Sequence, residues 1–384
     1  MDNNHNAFFE LVRAGLWEAH GSVSGSSTSE ATESMTKFQV SSGVDWNEVY
    51  RLATEQSVLG LVLAGLEYSD VKPPKVLLLQ WIGEVQQIEQ RNKSMNAFIA
   101  KLIEKLRNKD IYTLLVKGQG IAQCYDRPLW RASGDIDLLL SEDNYRKAQA
   151  LLIPIAHNVE EENLFNRHLA MMIENWEVEL HGTLRSQLGK RIDRVIDKVQ
   201  EDVFCGENVR SWDNGGTQVF LPSANNDTIF IFTHILQHYF GGGIGLRQIC
   251  DWCRLLYTYR DSLNHKMLEL RLRKMGLLPH WKAFAALAVD TLGMPVGAMP
   301  LYNDGKKWHK KGDGILSLIL ESGNFGHGRD QSYKKKYPKL IEYAISFWMF
   351  TRYGIRQFMI FPSDAVRGWM RTIFLGVKAK MKRK

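Results

Sequence analysis

The strongest constraint on this chain lies in the run Gly134-Asp135-Ile136-Asp137-Leu138-Leu139-Leu140. The segment Ile136 to Leu140 is short, apolar and opened by a β-branched residue, which reads as a strand. Alternate residues of a strand point to one face, so Asp135 and Asp137, at its start, project together. Two carboxylates a few ångströms apart repel unless a cation sits between them. Carboxylate oxygens completed by substrate phosphates are how proteins usually hold Mg²⁺. The strand follows the Ser133-Gly134 turn, and the expectation is a solvent-facing strand edge that presents the pair as a platform for a metal–nucleotide complex.

The flanking pattern supports a small α/β unit. Ile111 to Val116 reads as a strand, ended by the turn Lys117-Gly118-Gln119-Gly120. Ile121 to Tyr125 reads as a helical turn or two, and Glu142 to Leu152 as a helix capped by Ser141. Trp176 to Leu180 is a third strand, with Glu177, Glu179 and His181 alternating onto one face. A glycine turn between strand and helix brings backbone N–H groups close to a ligand and favours phosphate oxygens. Lys117 would add a point charge there. A third carboxylate beside the pair could hold a second metal and help deprotonate an attacking hydroxyl. Glu179 is the first choice for it and Glu177 the rival.

The rest of the chain reads as helix. Residues 7–20 form a short amphipathic helix and 21–34 a Gly/Ser/Thr-rich flexible loop. Val44 to Tyr68 has helical spacing. Lys75 to Asn108 is a long helix with one apolar face, from Leu77 to Leu106. Beyond Pro222, helical spacing recurs at 227–239, 246–260, 263–275, 281–292, 314–321 and 340–349, and 363–384 is a basic amphipathic candidate. Glycines 241–243 and 245 follow no strand and read as a helix–helix connection. Residues 324–329 read as a polar, glycine-rich loop or part of an acceptor site.

Taken together, Lys117-Gly118, Tyr125, Arg131, Gly134-Asp135-Ile136-Asp137 and Val178-Glu179-Leu180-His181 resemble the uncharacterised bacterial nucleotidyltransferase family of the DNA polymerase beta-type superfamily. The resemblance spans about residues 95–260 and includes His234, His238 and the run Arg247 to Asp251. It implies an α+β fold: a small mixed-sheet core over 109–222, an N-terminal helical region over 1–108, and a C-terminal helical domain with a basic tail over 223–384. It implies transfer of a nucleoside monophosphate from an NTP to an acceptor hydroxyl, with release of pyrophosphate and with two Mg²⁺ ions. By this resemblance Asp135, Asp137 and Glu179 are metal-binding and catalytic. Lys117, Gly118, Gln119, Arg131, Ser133 and Gly134 bind nucleotide, and His181, His238 and Arg247 support the site or meet the acceptor. Two positions depart from the family pattern. Gly118-Gln119 replaces the Gly-Ser or Gly-Gly of many superfamily members, leaving phosphate to the backbone or Lys117. Glu179 replaces the usual third Asp and is one methylene longer.

Charge narrows the partners. The formal net charge is +7, but residues 331–384 hold 13 Lys+Arg against two acids. The remaining chain has 36 basic and 40 acidic side chains, a net −4. An acidic body argues against a nucleic-acid enzyme, whose site needs positive charge. The acceptor is then a small molecule, a glycan or a protein. A nucleotide-binding or scaffolding protein that keeps the fold without catalysis is the alternative function. Four cysteines exclude a disulfide-built fold and fit a reducing compartment. Cys250 and Cys253 lack the second pair of a zinc ribbon and read as buried thiols. His234 and His238 share a helix face without the glutamate of a metalloprotease motif, which favours a face turned to the cleft or core. No apolar stretch is long enough to span a bilayer and the N-terminus lacks a basic signal-peptide region. The expected location is cytoplasmic, and the basic, Trp- and Phe-containing tail reads either as a helix on the anionic inner face of the membrane or as a segment packed on the helical domain with solvated lysines.

Overall fold

The structure is a computed structural model that describes residues 2–17, 43–164, 166–205, 209–241, 243–324 and 336–370. The expected loop at 21–34, most of the loop at 324–329 and the end of the basic segment, 371–384, lie outside the described residues.

A long helix organises the chain. Helices α1 (Asn3–Leu16), α2 (Trp46–Glu55) and α3 (Leu59–Leu66) precede α4 (Lys75–Arg107), which runs for 33 residues. The apolar face of α4 serves two cores. Trp81 and Val85 enter a helical core, whereas Met95, Phe98, Ile99, Leu102, Ile103 and Leu106 enter the core beneath the sheet.

The sheet comprises β1 (Leu114–Val116), β2 (Asp135–Leu139), β3 (Asn158–Val159), β4 (His168–Ile173) and β5 (Trp176–His181). Its order is β1-β2-β5-β4-β3. Strands β2 and β5 are parallel, and the other neighbours are antiparallel. Period-two alternation divides its faces. Ile136, Leu138, Val178, Leu180, Leu169 and Met171 pack on α4 and on α6 (Glu142–Leu152). The opposite face carries Asp135, Asp137, Glu177, Glu179 and His181. It meets α8 (Ala224–Phe240), one of the helices α7 (Lys190–Cys205), α8, α9 (Leu246–Thr258), α10 (His265–Met275), α11 (Leu278–Leu292), α12 (Lys306–Ser322) and α13 (Lys339–Ile360). A hairpin, β6 (Arg210–Asn214) with β7 (Thr217–Leu221), precedes α8, and α5 (Gly118–Ala122) follows β1. The architecture is a mixed α+β one: a small mixed sheet flanked by helices on both sides in sequence.

Several expected elements shift for physical reasons. The helix expected over 44–68 breaks after Glu55, where Ser57 adopts φ +56°. There the buried Gln56 side chain donates to Ile319 O and accepts from Leu246 N, so a tertiary polar contact replaces a helical turn. Ser141 occupies the N-cap of α6 without a capping side-chain hydrogen bond. Helix α12 begins eight residues before Gly314, and at Gly312 it passes close to the α11 backbone, where a Cβ would lie 3.1 Å from Leu287 N. Strand β2 is internal, between β1 and β5, rather than a solvent-facing edge. Strands β3, β4, β6 and β7 and helix α7 add to the elements expected from sequence.

The crossing of α1 and α3 depends on missing side chains. A Cβ on Gly15 would lie 1.9 Å from Leu61 O, and one on Gly65 2.0 Å from Leu11 O. Both obstacles are backbone. Gly65→Ala should lower stability by about 1–3 kcal/mol in urea denaturation, as overpacking does. Gly83→Ala in α4 meets nothing within 4 Å, and should be neutral or gain up to about 1 kcal/mol.

Candidate active site

Strand register assembles the carboxylates. In the parallel pairing of β2 and β5, Asp135 lies opposite Glu177 and Asp137 opposite Glu179. Asp135, Asp137 and Glu179 can each turn an oxygen into one group whose atoms lie within 4.8 Å of one another. Glu177 shares the face but not that group. Asp137 is only 1% exposed, so its charge must be answered by neighbours rather than water.

Lys117 and His181 answer it. Lys117 stands at the N-cap of α5 with φ +57° and ψ −146°, a region costly for a side-chain-bearing residue. Its Nζ lies 2.6 Å from Asp137 Oδ1. The next residue, Gly118, has φ +38°, and a Cβ there would sit 3.4 Å from Asp135 O. Burial opposes the Lys117 charge, but Asp137, Glu179 and Asp135 outweigh it and hold its pKa above the usual lysine value. His181 Nε2 lies 2.8 Å from Asp137 Oδ1 and 3.2 Å from Glu179 Oε2. His168 Nε2 lies 3.1 Å from the same Glu179 oxygen. Burial works against the imidazolium of His181, yet hydrogen bonds to Asp137 and Glu179 raise its pKa. Burial likewise opposes the Glu179 charge, but bonds from His168 and His181 hold it well below the ordinary carboxylate range.

Asp135 is treated differently. Repulsion from Asp137, then burial, raises its pKa, with Lys117 acting in the other direction. The group therefore carries negative charge that the protein compensates incompletely. Three carboxylates converging on one point with surplus charge form the oxygen donor set that suits a hard divalent cation. His168, Glu179 and His181 form a second, overlapping group of possible ligands through the shared Glu179.

The residues around the turn before β2 hold one another. Arg131 grips Asp251 with two hydrogen bonds, Nε to Oδ1 and Nη2 to Oδ2, each 2.7 Å. Its Nη1 donates to Ser133 Oγ at 2.7 Å, and Tyr125 Oη donates to Asp251 Oδ1 at 2.8 Å. Arg131 and Ser133 thus brace the turn from inside. The space around Gly134 is open, with nothing within 4 Å of a would-be Cβ. The Gln119 side chain turns away from the carboxylates and donates to Asn92 Oδ1 at 2.8 Å. Asn92 in turn donates to Leu129 O and Arg131 O, both at 2.8 Å. Only the Gln119 backbone faces the turn. Arg247 Nη1 donates to Ala132 O at 2.7 Å, while its Nε is buried with no hydrogen-bond partner. Burial and the nearby Arg131 lower its pKa.

A cavity of about 340 Å³ opens over these groups, with Lys117, Asp135, His168, Glu179 and His181 on the sheet side. Helix α8 forms the opposite wall with His234 and His238, whose Nε2 atoms are 3.1 Å apart. Burial, reinforced by Lys117, holds His234 well below its ordinary pKa and lowers His238 to about 4. A smaller adjoining pocket is lined by Lys117, Gly118, Arg131, Asp135, Asp137 and Arg247, among others. The structure therefore brings Lys117, Gly118, Asp135, Asp137, Glu179, His181, His238 and Arg247 to one place. His168 joins them through the β4–β5 register, where it lies opposite His181. No sequence spacing signals that pairing. Cys250 and Cys253 are fully buried in α9, and burial raises both thiol pKa values.

Residues 42–293 match the model of a family described as uncharacterised nucleotidyltransferase. The match contains every residue placed around the cavity. No curated protein and no solved structure matches the chain.

The α8 wall makes stability depend on pH. Above pH 6.5, His238 is neutral in the folded and the unfolded chain. As pH falls from 6.5 towards about 4, the unfolded chain binds a proton that the folded chain refuses, so stability is lost across that window. Urea denaturation from about pH 7 to 4.5 should show His238→Gln losing on the order of 1–3 kcal/mol less than the wild type.

Proposed function

The chain belongs to the uncharacterised nucleotidyltransferase family and is thereby a transferase; on that premise we propose that it moves a nucleoside monophosphate from an NTP to an acceptor hydroxyl and releases pyrophosphate. The observation that carries the proposal is the convergence of Asp135, Asp137 and Glu179 within 4.8 Å beside Lys117. These three carboxylates would hold Mg²⁺. When bound, the ion would neutralise charge on the phosphate oxygens and polarise the phosphorus–oxygen bond that breaks. The donor set is all oxygen, and the raised Asp135 pKa reflects charge that a further cation would relieve.

The remaining groups have distinct tasks. Lys117 offers a point charge at the turn, and Gly118 lets the backbone come close to a phosphate. Arg247, with an unpartnered Nε, is assigned to an oxygen of the departing pyrophosphate. Arg131, Ser133 and Gly134 shape the turn that delivers Asp135. Glu179 and Asp135 line the larger cavity, so the acceptor hydroxyl is placed there. Glu179, held by His168 and His181, is assigned to position and polarise that hydroxyl beside the bound ion. Catalysis then rests on positioning and charge neutralisation. The net −4 over residues 1–330 favours a small molecule, a glycan or a protein over nucleic acid as the acceptor.

Pyrophosphate release from ATP and Mg²⁺ tests this reading. Asp135→Asn and Asp137→Asn should each lower the rate by about 10²-fold or more, with the circular dichroism spectrum retained. Chelation should abolish release and added Mg²⁺ restore it. Glu179→Gln should match the aspartate variants, while Glu177→Gln stays within about threefold of wild type. Undiminished release by the Asp135→Asn/Asp137→Asn double variant would overturn the proposal.

A further inference from the structure

Helix α13 turns one edge into the protein. Tyr353, Gln357 and Ile360 are buried, and Tyr353 Oη and Gln357 Nε2 both donate to Tyr239 O. Its opposite side is apolar. At 100° per residue, Tyr343, Phe347, Trp348, Ile355, Phe358 and Met359 fall within an arc of about 160°. Ile341, Ala344, Thr351 and Gly354 also fall in that arc, and no charged side chain interrupts it. These are not half-hidden residues: Trp348 is 61% exposed and Met359 71%. The helix that follows, residues 362–370, packs Trp369 against Phe347 and adds exposed Val366 and Met370. An exposed apolar face of this size marks an interaction surface.

Charge identifies the partner. Residues 331–384, which contain this face, carry 13 Lys+Arg and two acids, while the rest of the chain is net negative. Lys336, Lys339, Arg352 and Arg367 are exposed near the face, and the Arg352 guanidinium lies 5.8 Å from the Trp348 ring. A second copy of the chain would bring two such positive regions together, which electrostatics opposes. An anionic bilayer answers the charge and takes up the aromatic and aliphatic side chains. Among the described residues no helix is long and apolar enough to cross a membrane, and α13 itself contains Glu342, Arg352 and Arg356. We propose that α13 and the helix after it lie on an anionic membrane surface, with Phe347, Trp348, Ile355, Phe358, Met359 and Met370 inserted at the headgroup–acyl boundary. The surface lies outside the residues placed around the cavity, so the proposal stands independently of the transferase chemistry.

Co-sedimentation of the full chain with vesicles tests it. The chain should bind phosphatidylcholine/phosphatidylglycerol vesicles, bind phosphatidylcholine alone weakly, and release from the anionic vesicles as salt rises. Trp348→Ser/Met359→Ser should weaken binding by about tenfold or more while the melting temperature and pyrophosphate release are retained. Ile355→Ser/Phe358→Ser replaces that variant if it melts early. Absence of binding to anionic vesicles overturns the proposal, as does undiminished binding by the face variants. Loss of binding only on removal of 371–384 assigns the contact to the tail and also overturns it. A dimer that forms without vesicles and dissociates in the face variants would put a second copy on this face and overturn the proposal too.

Discussion

The architecture around the site depends on partners that let the Asp137 carboxyl be buried at 1% exposure. A buried carboxylate with no partner costs several kcal/mol, so the strand cannot carry this residue without hydrogen-bonding partners in place. Lys117 and His181 supply them from the neighbouring strand ends, at 2.6 and 2.8 Å from the same oxygen. Lys117 reaches it from a backbone conformation that costs about 1–3 kcal/mol. That strain persists because the turn is fixed on both sides, by β1 before it and by the helical start at Gly118 after it. Strain and ion pair belong to one device: the turn that is costly to form also delivers the charge that lets Asp137 be buried.

The second requirement is rigidity beneath the turn at 131–134, and it comes from distant segments. Asp251 on α9 receives Arg131 in two bonds and Tyr125 in a third. Asn92 on α4 holds the carbonyls of Leu129 and Arg131, and Gln119 holds Asn92. Both helices therefore control where Asp135 begins its strand. Arg131 is paired with Asp251, while Lys117 and Arg247 are the cations that act to lower the Asp135 pKa.

The parts legible in sequence are those with local causes. Asp135 and Asp137 declare their common face through the two-residue period of β2, and Glu177, Glu179 and His181 do so on β5. What sequence cannot supply is the pairing of those strands. The parallel register that sets Asp137 beside Glu179, and the antiparallel one that sets His168 beside His181, are tertiary facts. The reading of β2 as an exposed edge fails for the same reason, since β1 and β5 cover it from segments about twenty and forty residues away. Other omissions had usable signals. Ile192, Ile196, Val199 and Val203 trace the buried stripe of α7, and Asn214-Gly215-Gly216-Thr217 is a hairpin turn sequence. The Gln119 and Arg131 side chains bond to Asn92 and Asp251, partners whose proximity no spacing reveals.

Four histidines border one cavity, and their surroundings divide them. His181 faces Asp137 and Glu179, which raise its pKa despite burial. His234 and His238 face each other and Lys117, so burial and the nearby cation keep them neutral. Across the cavity the carboxylates face an uncharged imidazole pair on α8, and the lining also includes Arg185, which is paired with Asp197. The α8 wall therefore offers no positive charge to a ligand in the cavity. A neutral hydroxyl-bearing ligand finds hydrogen-bonding imidazoles there without a charge to desolvate. The two sides of the cavity thus differ in charge, with Lys117 and the carboxylates on the sheet side and neutral imidazoles on α8.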